Sequence, residues 1–380
     1  MNAATPAADR PAALVFRKRI LPWSETFIAA QSGAMTRYAP VLVGYSHDPG
    51  GAAYIVGRPT LLLHDHSAFP ALEKFLLKSV GRAPRRWLRA IASTNPRVLH
   101  AHFGSSALPA SHVARALGIP LVVTYHGMDI TVRAKTEAEA ERRRRVFATA
   151  DRVIAVSQFI AGALRAAGCP EEKIAVHYIG VDTARFAPGR WPRAVDEVLF
   201  VGRLVEKKGV IHLLRALEVV RRESGTNARL TVAGDGPLRE PLVREAERLG
   251  VHTTFLGVQT PEQVRGLMQR ATVLCGPGIA DTRGNAEGLP ITFLEAQACG
   301  LPIVVSASGG SGEGLVEGTT GFLFQPGDEP ALAGHLSRVL GDRALQGRMS
   351  TAARAHMERE FDLARQTARL EDLYDEVRRG

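Results

Sequence analysis

Three short stretches of the 380-residue chain combine residue types and spacings that could do chemistry. The first, Val201-Gly202-Arg203-Leu204-Val205-Glu206-Lys207-Lys208-Gly209, leaves an apolar run and enters a helical pattern near Val210. Gly202 permits close backbone approach, and Arg203 and Lys208 can both reach a strand-end crevice. Two such cations suit a diphosphate, the guanidinium as a bidentate fork and the ammonium as a mobile point charge. The competing reading is an ordinary solvated loop, because Lys and Arg are mostly exposed.

The second stretch, Glu287-Gly288-Leu289-Pro290-Ile291-Thr292-Phe293-Leu294-Glu295, sets two carboxylates about two helical turns apart. Pro290 suits an early helical position, where its missing N–H is not needed. The amides near Gly288 and Leu289 could then receive phosphate or sugar oxygens. A carboxylate accepts paired hydrogen bonds from sugar or ribose hydroxyls. The bland alternative makes Glu287 a favourable first-turn charge and Glu295 a solvated helix residue. That alternative is weaker for Glu295, which lies among Phe293, Leu294, Ala296 and Ala298.

In the third stretch, Tyr125-His126-Gly127-Met128-Asp129, His126 and Asp129 stand at the carboxyl end of the apolar run 121–124. A polar loop from Asp281 to Asn285 leads into Glu287 and could contact a transferred sugar. His100 and His102 close a neighbouring strand, but with His126 they lack metal-ligand spacing. Neither Gly202 nor the 233–237 turn has the glycine spacing of a Walker loop or dinucleotide fingerprint.

These stretches need a frame to position them. β-branched runs alternate with helical patterns through both halves, the signature of parallel sheets with crossover helices. Strands are expected near 14–19, 40–44, 98–102, 121–125, 153–156 and 174–179, and again near 198–201, 229–233, 253–256, 272–274, 303–306 and 321–323. The chain length fits two domains. The expected fold is α/β, with two Rossmann-like parallel-sheet domains facing across a cleft. The boundaries expected are 1–189 and 190–360 for the two domains, with 361–380 a terminal helix that could pack on either. Residues 182–195, with Pro188, Gly189 and Pro192, read as the linker.

Composition narrows the class. The chain is 45% hydrophobic and 23% charged, which is globular rather than disordered composition. Three separated cysteines, Cys169, Cys275 and Cys299, match no disulfide framework. No apolar run approaches a membrane span, and the first 16 residues do not read as a signal peptide. A cytoplasmic protein is expected. The net charge is +10, but residues 1–189 hold 24 Lys and Arg against 13 Asp and Glu, while 190–380 hold 24 against 25. Confinement of the excess to one half argues for an anionic surface or acceptor rather than for specific nucleic-acid binding.

Together these features resemble the retaining glycosyltransferases of the fourth family, which use the two-domain GT-B architecture. The resemblance spans nearly the whole chain, and it implies an acceptor-binding domain over 1–189, a nucleotide-sugar-binding domain over 190–360 and a terminal helix, 361–380, that crosses back to the first domain. It rests on Val201-Gly202-Arg203-Leu204 with Lys207-Lys208-Gly209, Ala233-Gly234-Asp235-Gly236-Pro237, Glu287 with Glu295, Gly300-Leu301-Pro302-Ile303-Val304 with Gly321-Phe322, and His126-Gly127-x-Asp129. It implies a nucleoside-diphosphate sugar as donor, no cofactor and no metal. Arg203 and Lys208 would bind the pyrophosphate beside Gly202, Glu295 the ribose, and Glu287 the transferred sugar with the amides of Gly288 and Leu289. His126 would contact that sugar near the reaction centre. The acceptor implied is a glycan or lipid-linked glycan of surface-polysaccharide assembly. One departure concerns the loop after the first strand, where many relatives carry Gly-Gly and this chain reads Pro22-Trp23-Ser24-Glu25-Thr26. Ser24 could cap the following helix there, which makes Ser24, Glu25 and Thr26 candidate cleft residues. A sugar-nucleotide epimerase, a phosphorylase or a noncatalytic glycan- or membrane-binding protein is the alternative on architecture alone.

The segment 72–91 is basic and amphipathic. Lys74, Lys78, Arg82, Arg85 and Arg89 share one helical face, and Pro84 divides the segment into two helices. Phe75, Leu76, Val80, Trp87, Leu88 and Ile91 supply apolar area. Peripheral contact with an anionic membrane, at the inner face of the plasma membrane, is expected from it.

Overall fold

The computed structural model describes residues 10–20, 25–51, 56–190, 193 and 196–379. The chain divides into two compact units, Met1–Gly180 with Leu363–Gly380, and Val181–Asp362.

In the first unit the strands are β1 (Ala12–Phe16), β2 (Arg19–Ile20), β3 (Ala39–Gly44), β4 (Ser46–His47), β5 (Thr60–Leu62), β6 (Pro96–His102), β7 (Leu121–Tyr125), β8 (Arg152–Ala155) and β9 (Ile174–Val176). Seven of them form a sheet in the order β5-β3-β1-β6-β7-β8-β9, and β2 pairs with β4 apart from it. Every ladder in the sheet is parallel. Helices cover both faces of such a sheet, so its central strands read as unbroken apolar runs. All five residues of β1 and of β7 are accordingly buried.

The chain runs from β1 outward through β3 to β5, then returns to lay β6 on the other side of β1. That reversal opens a crevice at the carboxyl ends of β1 and β6. The expected strand 14–19 stops at Phe16, because its ladders to β3 and β6 end there and Arg19 and Ile20 pair with β4 instead. Arg17 and Lys18 are therefore loop residues at the crevice.

The helix Leu363–Arg379 belongs to this unit. Leu370 and Tyr374 join the core of Val15, Leu42, Val98 and Val122. One Glu371 oxygen accepts from the backbone N–H groups of Thr36, Arg37 and Tyr38 at 3.0, 2.8 and 3.1 Å.

The second unit carries β10 (Glu197–Val201), β11 (Arg229–Ala233), β12 (Thr253–Gly257), β13 (Val273–Gly276), β14 (Ile303–Ser306) and β15 (Gly321–Phe324) in the order β12-β11-β10-β13-β14-β15. Its ladders are also parallel, and its reversal lies between β10 and β13. Two helices that the periodicity did not single out, Glu329–Gly341 and Arg343–His356, follow β15. The units divide at Gly180, and residues 181–189, placed with the first domain on sequence, bond to the second. Arg354 Nη1 donates to the carbonyls of Thr183 and Phe186 at 2.8 and 2.7 Å, and Gln269 donates to Ala187 at 2.8 Å.

Candidate functional site

The second unit gathers charge at its crevice. Past β10 the chain passes Gly202 and the exposed Arg203, then makes a short 3-10 turn, Glu206–Lys208. Gly209 ends the turn at φ +64°, and a Cβ there would stand 1.8 Å from the Pro277 carbonyl oxygen. Only glycine tolerates both conditions. The close approach lets the loop after β13 run against this turn, and Ile279 N donates to Lys207 O at 2.9 Å.

That loop delivers Glu287. Its Oε1 lies 2.9 Å from Lys207 Nζ and 3.2 Å from Lys208 Nζ. Burial works to raise the Glu287 pKa, but Lys208 and Lys207 overcome it and hold the carboxyl at about 2. The backbone amides of Gly288 and Leu289 donate to no partner among the described residues. They precede the helix Ile291–Ala298, whose cap is Pro290, one position earlier than the first-turn site expected for it. Arg203 makes no ion pair among the described residues. The half-buried Glu295 is not joined to this cluster. Burial raises its pKa to about 7, and the cation opposing that rise is Arg185. Asp281 turns inward: its Oδ1 accepts from the backbone N–H groups of Arg283 and Asn285, both at 2.9 Å, and Oδ2 lies 3.3 Å from Arg283 Nη2. These contacts hold the Asp281 carboxylate to its own loop.

The first unit's crevice is built from rings and one buried ion pair. His126, past the end of β7, has Nε2 3.2 Å from His102 Nδ1, and its ring centroid lies 4.3 Å from Phe103 and 5.1 Å from Phe27. Its Nδ1 is buried with no partner among the described residues. Burial, then His100 and Arg17, lower its pKa to about 3, so the imidazole is neutral at physiological pH. Behind it His100 bridges Tyr374 and Thr124, with both bonds 2.6 Å. Asp129 acts as a buckle: it accepts from His126 N at 3.1 Å, Gly127 N at 2.9 Å and Gly104 N at 2.9 Å. Burial raises its pKa against those bonds.

Ser24 lies outside the described residues. The cap of the helix Thr26–Gly33 is Glu25, without a side-chain capping bond. The Glu25 carboxylate takes a fork from Arg17, Nε at 2.8 Å and Nη2 at 2.5 Å. The Arg17 guanidinium also sits 4.2 Å from the Phe103 ring centroid. Thr26 opens the helix and is half-buried.

Sequence reasoning missed Arg17, Phe103 and the part played by Lys207, and it weighed His102 only as a metal ligand. Lys207 was visible beside Lys208, but spacing cannot say which of two adjacent lysines reaches a carboxylate, and here both do. Among the described residues no group of three or more His, Cys, Asp or Glu side chains is placed to hold a metal ion, and the three cysteines are buried and unpaired.

Comparison with known proteins gives this arrangement its family. The family "Glycosyltransferase Family 4" matches residues 18–185, and "Glycosyl transferases group 1" matches 184–356. The chain is 32% identical over 249 residues to the putative colanic acid biosynthesis glycosyltransferase WcaL of Escherichia coli, a match over 63% of this chain and 60% of WcaL's length. It is 32% identical to a GDP-mannose-dependent alpha-(1-6)-phosphatidylinositol monomannoside mannosyltransferase of Mycolicibacterium smegmatis, over 70% of this chain and 74% of that protein. Among solved structures, Anabaena HepE in complex with UDP superposes with a TM-score of 0.78 at 17% identity, covering 96% of this chain and 100% of HepE. The chain belongs to the family 4 glycosyltransferases, with the GT-B fold.

Proposed function

We propose that the protein is a retaining, nucleotide-sugar-dependent glycosyltransferase. It moves a hexose-type sugar from a nucleoside-diphosphate donor to a glycan or lipid-linked glycan acceptor in surface-polysaccharide synthesis. The observation that carries the reading is the Lys207–Glu287–Lys208 cluster beside the unbonded amides of Gly288 and Leu289. WcaL and the amylovoran glycosyltransferase AmsK, 29% identical over 288 residues, point to the pathway class. The named relatives and neighbours include both a GDP-mannose enzyme and a UDP complex, which leaves the donor base to experiment.

Without donor, both lysines lie in ion-pair range of Glu287. An arriving diphosphate draws Lys208, with Arg203, onto its oxygens, while Lys207 keeps Glu287 ionised and able to accept sugar hydroxyls. As the anomeric C–O bond breaks, its electron pair goes to the diphosphate oxygen, where Arg203 and Lys208 stabilise the growing charge. The acceptor hydroxyl attacks from the same face and gives its proton to the departing diphosphate, so no protein nucleophile is invoked. His126, neutral with its free Nδ1, serves the sugar as a hydrogen-bonding group and not as a titrating base. Glu295 takes the ribose hydroxyls.

A panel of nucleotide sugars tests this reading. Slow release of one nucleoside diphosphate is expected, and NMR of the transferred sugar should show the donor's anomeric configuration. Release from none of the panel would overturn the assignment, and an inverted anomer would overturn retention.

Contact with an anionic membrane is part of the same proposal. No helix among the described residues is long and apolar enough to cross a membrane. The segment 72–91 does split at Pro84, into helices Pro70–Val80 and Arg85–Ala92. The second cannot insert as expected, since Trp87 and Ile91 are fully buried and Trp87 Nε1 donates to Leu61 O at 3.1 Å. The first leaves Leu72, Phe75 and Val80 exposed at 55, 62 and 67%, among Lys74, Lys78 and Arg82. Flotation with anionic but not neutral liposomes is expected. Equal recovery with both would remove the membrane contact.

A further inference from the structure

We propose that Lys18, Lys74 and Lys78, gathered beside Arg17 and Tyr45, form a subsite for a phosphate or diphosphate group carried by the acceptor. The word acceptor rests on the transferase reading, but the anion site does not. Lys18 follows Arg17 out of β1 into the crevice of the first unit's sheet, and its backbone is clamped on both sides. Its N–H points to Ser106 Oγ at 3.5 Å, in the first turn of the helix Gly104–Leu117, and its carbonyl accepts from Tyr45 N at 3.0 Å. Lys74 extends from the helix Pro70–Val80 until its Nζ is 5.4 Å from the Tyr45 ring centroid. Lys78, one turn further along, shares that helix face. Tyr45 is 5% exposed, and its hydroxyl has no partner among the described residues.

The charges are unbalanced. Arg17 is paired with Glu25, but none of the three lysines pairs with a carboxylate among the described residues. Burial first, then Lys78, Arg17 and Lys74, push the Lys18 ammonium down to about 8, and no carboxylate opposes them. Like charges held together without a counter-ion repel, and a bound anion relieves that repulsion. A diphosphate supplies enough negative charge for three lysines and presents several oxygens to separate ammonium groups. The Arg17 guanidinium and the His126 ring both pack on Phe103, 4.2 and 4.3 Å from its ring centroid, so the anion would sit near the residue assigned to the sugar. The exposed Phe75 lies one turn before Lys78 on the same helix, where a hydrocarbon chain attached to the phosphate would find apolar surface.

The test is direct binding by calorimetry in the full chain. Arg203→Ala and Lys208→Ala are present throughout to silence the other diphosphate site. The probes are farnesyl diphosphate, inorganic pyrophosphate and farnesol. Lys18→Gln and Lys78→Gln should each weaken both diphosphate probes about tenfold or more, the scale of one charged hydrogen bond, while farnesol binding does not change. Lys18→Arg should retain binding. Tighter binding of farnesyl diphosphate than of pyrophosphate would identify a lipid-linked acceptor, and equal binding a soluble phosphorylated one. Unchanged affinity for both diphosphates in Lys18→Gln and Lys78→Gln would overturn the subsite. So would loss in Lys18→Arg with Lys78→Gln unaffected, which marks a packing role. Because binding is read without turnover, this result and the donor-panel result can fail independently.

Discussion

The two sheet reversals occupy the same topological place in their units, yet they handle charge in opposite ways. At the β10/β13 crevice two lysines converge on one carboxylate, and the group stays ionised with Glu287 near 2. At the β1/β6 crevice the central group is a histidine lowered to about 3, packed among Phe103, Phe27 and His102. One setting suits a ligand that brings charge; the other suits uncharged hydroxyls, with cations set to one side. A shared architecture therefore supplies two positions for chemistry without dictating the chemistry of either.

The largest expected effect tests the charged side. Arg203→Ala and Lys208→Ala should each lower turnover by ~10² to 10³, or roughly 3 to 4 kcal/mol of transition-state stabilisation, with unchanged circular dichroism. Turnover at the wild-type rate in the double variant would dissolve the contrast, because neither cation would then serve the leaving group. Next in size, Glu287→Gln should slow sugar transfer by roughly 10- to 10²-fold, the loss of one charged hydrogen bond. Nucleoside diphosphate affinity should hold or rise, since Lys207 and Lys208 are freed. Parallel losses in transfer and affinity would instead make Glu287 a structural counter-ion.

A pH series sharpens the comparison. Glu295 gains an acceptor charge as pH rises through about 7, so donor affinity should climb between pH 6 and 8. The dependence is limited to about tenfold per pH unit below the pKa by single-proton linkage. Glu295→Gln should flatten it, and a slope that persists in that variant would point to another group. His126, already neutral throughout this window, should contribute no inflection. The smallest effect is expected at Asp281→Ala, where two backbone hydrogen bonds within one loop are lost. About 1 to 2 kcal/mol of stability should disappear on thermal melting, with turnover changed far less than in Glu287→Gln. An activity loss matching that of Glu287→Gln would return Asp281 to the sugar.

Much of this was readable in one dimension. Apolar runs separated by helical periods announce parallel sheets, because strands covered on both faces must be apolar throughout. The motifs around Arg203, Glu287 and His126 marked places where those runs end. Three kinds of fact were out of reach. Adjacent Lys207 and Lys208 could not be ranked, since their roles depend on a loop that arrives from 277–287. The Arg17–Glu25 fork could not be foreseen while 14–19 read as unbroken strand; the ladders to β3 and β6 stop at Phe16, and Arg19 pairs with β4 instead.

The third kind concerns the segment 72–91, whose periodicity determines that each helix has an apolar stripe. Periodicity is a property of one chain segment, whereas burial depends on what that stripe meets. Trp87 and Ile91 are held in the core, with the carbonyl of Leu61 accepting from the indole, while Leu72, Phe75 and Val80 remain exposed. The sequence by itself determined which residue types could do chemistry and which segments could be strand or helix. The tertiary structure alone decided which of them meet, because contact between residues distant in the chain is set by packing and not by spacing.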